Sequence, residues 1–229
     1  LKTRFPGKEM HMTECSGGSW QGPWSETLMQ YVKAVFIEGA DNFGQSVVMW
    51  NMALDETDGP HCKGGSCCTG CRGVLTIPSN ASTIHDVTLN VEFTTFRHFS
   101  PFILPGSLRV KTSSSGSVKA AAFVSPAPSG NQTVLVVANP SQVSMKFAVF
   151  AGHGCGFTFD LPPGVATFAW DLVVSSSDCN HPSFIGMASV KLTHGLLLLL
   201  SGLGMLLACA SHLKRPQGNG EMTHQLLSS

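Results

Sequence analysis

The sequence predicts an α/β unit followed by an all-β unit, an antiparallel β-sandwich, and then a single transmembrane helix. Three observations carry this expectation. Apolar strand-like runs alternate with helical patterns as far as residue 103, as a parallel α/β unit requires. From 108 to 174, short β-prone runs recur between Ser-, Gly- and Pro-rich turns, at the spacing of about ten residues that suits a sandwich. Residues 192–210 read LTHGLLLLLSGLGMLLACA without a formal charge, and as a helix they reach roughly 28 Å, close to the thickness of a bilayer core. Composition agrees. The 229 residues are 43% hydrophobic and 12% charged, enough apolar surface to build a core and too much for a disordered chain. Fourteen Lys plus Arg balance fourteen Asp plus Glu, which excludes the broad basic surface that nucleic-acid phosphates need.

Taken in order, residues 8–15 (KEMHMTEC) form a short strand entering a turn at Gly17-Gly18. Ser25 is placed to cap a helix carrying Glu26 in its first turn. Leu28, Val32, Val35 and Phe36 fall at helical spacing, and Gly39 is placed to end the helix. Residues 46–54 (SVVMWNMAL) are mostly apolar, as in a strand covered on both faces. A Gly/Cys-rich loop occupies 55–73, and 91–103 reads as a helix stopped by Pro105-Gly106. Sandwich strands are expected at 108–112, 118–124, 133–139, 145–150, 156–160 and 166–174. A polar stalk begins at Ser175, and Lys214 and Arg215 follow the apolar run, which places the tail in the cytosol.

Eight cysteines occur: Cys15, Cys62, Cys67, Cys68, Cys71, Cys155, Cys179 and Cys209. Asn80 and Asn131 stand in Asn-x-Ser/Thr acceptor sequences. With the apolar run they point to a secretory route, where disulfides persist. His61, Cys62, Cys67, Cys68 and Cys71 could supply zinc ligands or a redox pair. Adjacent ligands at 61/62 and 67/68 make a tetrahedral site awkward, so a disulfide loop is favoured and no metal is assigned. Cys155 and Cys179 bracket the last strands and can pair with each other. Connectivity does not follow from spacing.

Glu14 is the sharpest candidate for chemistry. It ends a strand and is followed by Cys15-Ser16-Gly17-Gly18, a bend that sets its carboxylate at the C-terminal edge of the sheet, where α/β sites form. There it can act as nucleophile, base or metal ligand; the plainer alternative is a surface glutamate near a turn. Trp50-Asn51 ends the next strand and emerges on the same rim. An aromatic face beside an amide suits a sugar ring, although Trp50 also reads as a core residue. Trp20 and Trp24 either wall the same mouth or pack the loop onto the helix. Cys15 reads as packed rather than reactive, its thiol held protonated by the neighbouring carboxylate. His11 and His98 read as packing or surface residues.

The segments HMTECSGG, NFGQSVVMWNMALDETDGPH, GCRGVLTI and RHFSPFILPGSLRV resemble, in order and spacing, glycoside hydrolase family 30, which includes glucosylceramidases and β-1,6-glucanases. The likeness extends over residues 8–170. It implies the C-terminal part of a (β/α)8 TIM barrel followed by a β-sandwich side domain, and retaining hydrolysis of β-glycosides without metal or organic cofactor. It assigns the nucleophile to Glu14 and a substrate-lining role to Trp50, with Asn51 beside it and Trp20 near the mouth. Retaining hydrolysis needs two carboxyl groups about 5–5.5 Å apart. The family's acid/base lies in an Asn-Glu pair after its fourth strand, and this sequence contains no Asn-Glu pair. Glu26, Glu38, Asp55 and Glu56 do not match it.

The resulting expectation is a piece of a longer protein, opening on Leu1 without an apolar leader. Residues 1–103 would form the last two β/α units of a barrel, 104–174 the sandwich, 175–191 the stalk, 192–213 the anchor and 214–229 the cytosolic tail. The expected partners are a β-linked glucoside, in a glycolipid or a glucan, and a membrane. The expected location of the catalytic part is extracellular or in a secretory or lysosomal lumen. The alternative is a non-catalytic cell-surface carbohydrate-binding protein that keeps Trp50 and the sandwich.

Overall fold

The computed structural model describes residues 2–61, 68–114, 116–127, 130–150, 156–171, 184–191 and 224–228, the last two segments by their backbone. They form two compact units, Leu1–Arg97 and His98–Ser229.

In the first unit, strand β1 (Met10–Gly18) lies parallel to β2 (Gly44–Trp50). The crossover between them is helical: α1 (Trp24–Gln30), a π-helical stretch Tyr31–Ile37 and α2 (Glu38–Asp41). Its buried stripe is Leu28, Tyr31, Val32 and Ile37, the face a helix must hide when it packs on a sheet. Both ends differ from expectation. Pro23, not Ser25, occupies the N-cap, its ring presetting a backbone angle compatible with a helix start. Gly39 lies inside the helix; Asn42 closes it by donating from N and Nδ2 to Glu38 O (3.0 and 2.8 Å), and Phe43 takes the left-handed turn at φ 66°.

After β2 the chain forms β3 (Ala53–Leu54), β4 (Cys71–Arg72), β5 (Leu75–Thr76) and β6 (Thr88–Leu89). The order β3-β5-β6 makes a small separate sheet, while β4 adds to the end of β1. The apolar run expected as one strand over 46–54 is therefore split at residues 51–52, where the chain changes sheet. Helix α3 (Val91–Arg97) ends well before the expected residue 103. Pro101 explains it: a proline bars the residue before it from helical geometry and cannot donate to the ladder.

The second unit is a two-sheet sandwich built from β7 (Leu108–Val110), β8 (Thr112–Ser113), β9 (Lys119–Ala127), β10 (Gly130–Asn139), β11 (Met145–Phe150), β12 (Gly156–Leu161), β13 (Gly164–Asp171), β14 (Phe184–Lys191) and β15 (His224–Ser228). One sheet runs β14-β13-β10-β9-β7 and the other β12-β11-β15-β8. Leu135, Val137, Phe147, Val149, Leu161, Phe168 and Trp170 fill the space between them. Phe159 packs on Phe147 and Phe168, with ring centroids 4.9 and 4.3 Å apart.

Strands β10 and β13 are buried on both faces: Val134, Val136, Thr167 and Ala169 are each 0% exposed. The segment His98–Ser107, expected to lie partly in a helix, covers this second face. His98 Nδ1 meets Thr167 Oγ1 at 3.0 Å, Thr167 Oγ1 meets His98 O at 3.0 Å, and Leu104 N donates to Ser125 Oγ at 3.0 Å. Covering the sheet with a strap satisfies polar groups that would otherwise be buried without partners.

Two segments near the C-terminus lie in strands. Phe184–Lys191, expected in the stalk, pairs antiparallel with β13 along its length. His224–Ser228, expected in a cytosolic tail, pairs with β11 and β8. A free sheet edge presents unpaired backbone donors and acceptors, and both segments satisfy such an edge. Among the described residues no helix is long and apolar enough to cross a membrane; the run 192–210 lies outside them.

Candidate active site

The candidate site gathers at the C-terminal ends of β1 and β2. Met12 pairs with Val47 and Cys15 with Met49, so β1 holds one residue more than β2 between these pairs. That surplus is a β-bulge at Thr13-Glu14. A bulge bends its strand and re-aims the side chains on it, and bulges recur beside active sites. Glu14 is exposed, and no hydrogen bond or ion pair from the described residues is recorded for its carboxylate. Beyond the bulge, Ser16 pairs with Trp50. Trp50 is 49% exposed, so its ring is not a core residue of this unit. The nucleophile candidate and the aromatic candidate thus sit on adjacent parallel strands, two positions apart in register.

Asn51 follows Trp50 directly and is half-buried. Its backbone oxygen accepts from Val74 N (2.8 Å), while its Oδ1 is buried without a hydrogen-bond partner among the described residues. Trp20 is 59% exposed, and its ring lies over Gly18, where a Cβ would collide with it. Trp24 opens α1 and is half-buried.

The Cys-rich loop is tied to the same strand end. Cys68 and Cys71 form a disulfide with Cα atoms 5.4 Å apart, which removes both thiols from any zinc set. Cys71 pairs with Gly18, Arg72 with Gly17, and Ser19 N donates to Gly70 O at 2.9 Å. His61, exposed, meets Thr57 O at 3.0 Å. Cys62, Cys67, Cys155 and Cys179 lie outside the described residues. Asn80 sits exposed on a turn and Asn131 exposed at the start of β10.

Behind β1 lies a network that the sequence reading did not find. Glu92, on α3, is 0% exposed, and it accepts from Arg72 Nε (3.1 Å) and Nη2 (2.8 Å) and from Tyr31 Oη (3.3 Å). Gln21 joins in: its Oε1 accepts from Arg72 Nη2 (2.7 Å) and Gly18 N (3.1 Å), and its Nε2 donates to Tyr31 Oη (2.8 Å). The signal was present but faint. Glu92 falls on the buried stripe of α3 with Val91 and Thr95, and a charge on such a stripe is buried only when paired. Its partner is 20 residues away in sequence.

These groups set the local electrostatics. Burial pushes the Cys15 thiol up, and the Glu92 carboxylate pushes it further. Cys15 is the packed residue expected, but Glu92 rather than Glu14 is the responsible charge. Burial and then Glu92 also push the Tyr31 hydroxyl well above the ordinary tyrosine value. Tyr31 is the single tyrosine of the chain, so tyrosinate absorbance at 295 nm reports it alone. The folded protein is expected to show no tyrosinate step near pH 10, where the urea-unfolded chain titrates. Because the folded value is raised, its share of stability is present below about pH 10 and is lost as pH rises further. A tyrosinate step near pH 10 in the folded protein would contradict the network.

No family model matches the chain. Over 103 residues it is 28% identical to the endo-1,6-β-D-glucanase of Neurospora crassa, a match covering 45% of this chain and 20% of that protein. Its structure is similar to that of the endo-β-1,6-glucanase BT3312, with a TM-score of 0.64 and 26% identity over 74% of this chain and 37% of that one. The chain therefore spans only a minor part of the length of either relative. By sequence and by structure it is related to the β-1,6-glucanases of glycoside hydrolase family 30.

Proposed function

We propose that this relative of the family 30 β-1,6-glucanases carries the nucleophile side of a retaining β-glycosidase site, with a β-linked glucan as substrate. The observation that carries the reading is the exposed Glu14 on a bulge, one strand away from the exposed Trp50. Trp50 would stack on the apolar face of a glucosyl ring, and Trp20 on the same rim would meet a neighbouring residue. Glu14 would attack the anomeric carbon. The bond to the leaving oxygen breaks as a carbon–carboxylate ester forms, and water later hydrolyses that ester with net retention. The leaving oxygen needs a proton from an acid, and the sequence contains no Asn-Glu pair to supply it. The chain by itself is therefore proposed to hydrolyse no alkyl β-glucoside.

An activated sugar separates the two halves of the mechanism, because a fluoride leaving group departs without protonation. The full chain incubated with 2-deoxy-2-fluoro-β-D-glucosyl fluoride is expected to gain one glycosyl adduct on Glu14 by peptide mass spectrometry. Glu14→Gln is expected to gain none. Adduct formation elsewhere would refute the assignment, and turnover of an alkyl glucoside by the chain alone would refute the absence of an acid. A second reading, carbohydrate binding without chemistry, is favoured by the missing acid/base. It predicts retention on an insoluble β-1,6-glucan, lost in Trp50→Ala, with no adduct at all. The Cys68–Cys71 disulfide and the exposed Asn80 acceptor support an extracytosolic site of action for either reading.

A further inference from the structure

The groups packed behind β1 meet that strand at Gly17 and Gly18, just past Glu14. We propose that Arg72 and Glu92, with Tyr31 and Gln21, are positioning residues that clamp the end of β1 and thereby set the direction of the Glu14 carboxylate; this rests on Glu14 being the nucleophile.

Three observations support the clamp. Strand β1 is poorly held where Glu14 sits. Its bulge removes a residue from register with β2, and among the described residues its other edge pairs through Gly17 and Gly18 with β4. The network closes on that one paired point: Gly18 N donates to Gln21, and Arg72 is itself the register partner of Gly17. Gly17 leaves no room for slack, because a Cβ there would collide with Glu92 Oε1 and Tyr31 Oη.

A fully buried carboxylate and its guanidinium recover little more than their desolvation cost, and an apolar pair of similar volume stabilises a fold as well or better. Stability alone therefore gives no reason for this arrangement. Direction does: a fork of fixed geometry orients what it holds, and a nucleophile displaced by about an ångström loses on the order of a hundredfold in rate.

The test uses the full chain, the double variant R72L/E92L and the single variant R72K. Two quantities are read: hydrogen exchange at the Gly18 amide, and trapping of Glu14 by 2-deoxy-2-fluoro-β-D-glucosyl fluoride as a function of reagent concentration. For R72L/E92L the urea midpoint should be kept. Gly18 exchange should quicken about tenfold or more, and the limiting trapping rate should fall about tenfold or more while the half-saturating concentration moves less than about twofold. R72K, which keeps the charge and loses the fork, should lie between the two. A purely structural pair would lower the midpoint and leave the limiting rate of the folded fraction unchanged, and that result overturns the proposal. Should the double variant fail to fold, R72K decides by the same two readings. If the unaltered chain is not labelled at Glu14, the nucleophile assignment falls and the positioning role falls with it. If it is labelled and the variants match it, the clamp alone is wrong.

Discussion

Arg72→Met is expected to destabilise the first unit by about 3–5 kcal/mol, the loss typical when one partner of a buried ion pair is removed and the other stays. Glu92 would remain fully buried with Tyr31 Oη, at 3.3 Å, as its one side-chain donor among the described residues, since Arg72 supplies both of its shortest bonds. Gln21 Oε1 would also lose one of its two donors, keeping Gly18 N, so the cost extends beyond one contact. The urea dependence of hydrogen exchange at the Gly18 amide, in the first unit, measures it. The double variant R72L/E92L should recover most of the loss, because no charge is then left in the interior. A single variant costing less than about 1 kcal/mol would mean that solvent reaches Glu92 and that the network is not buried in solution.

Phe147→Ala is expected to cost the sandwich about 3–5 kcal/mol. Among the described residues, Phe147 is the largest of the side chains below 2% exposure. It stands at the centre of the inter-sheet core, edge-on to Phe159 at 4.9 Å. The aromatic cluster around it, Phe157, Phe159, Phe168 and Trp170, spans both sheets, so a cavity there cannot be refilled by one rotamer change. Circular dichroism of the sheet band during thermal unfolding reads the loss. Phe147→Leu, which keeps most of the volume, should cost less than half as much. Equal effects from Ala and Leu would argue that the site is loosely packed.

The two variants probe separate units. The site was legible in part because its front face depends on local order. Glu14 ends a strand before Gly17-Gly18, and Trp50 ends the next one; parallel strands carry both to the same edge whatever else the chain does. The back face was not legible. Gln21, Tyr31, Arg72 and Glu92 come from a loop, a π-helical stretch, a short strand and a helix, and no period in the sequence links them. Element ends were misread for related reasons. Gly39 looked like a helix stop, but Asn42 offered the carbonyl of Glu38 two donors where glycine offers none beyond its backbone. The helix expected to run to residue 103 stopped at Arg97 because Pro101 outweighs apolar spacing.

By itself the sequence determined the division into an α/β unit and a β-sandwich, the rim that carries Glu14 and Trp50, and the kinship with β-glycosidases. Each of these follows from short-range pattern: alternation in strands, helical spacing, turn residues, and motifs contiguous along the chain. Only the tertiary structure decided that Glu14 sits on a bulge, that Cys68 pairs with Cys71, and that a strap from His98 to Ser107 covers the sandwich. It alone placed residues 184–191 and 224–228 in sheets, and Arg72 against Glu92. Those outcomes depend on which distant groups can satisfy one another once water is excluded. A buried donor must find an acceptor, a buried charge its counter-charge, and a sheet edge another strand. Such pairings are chosen in three dimensions.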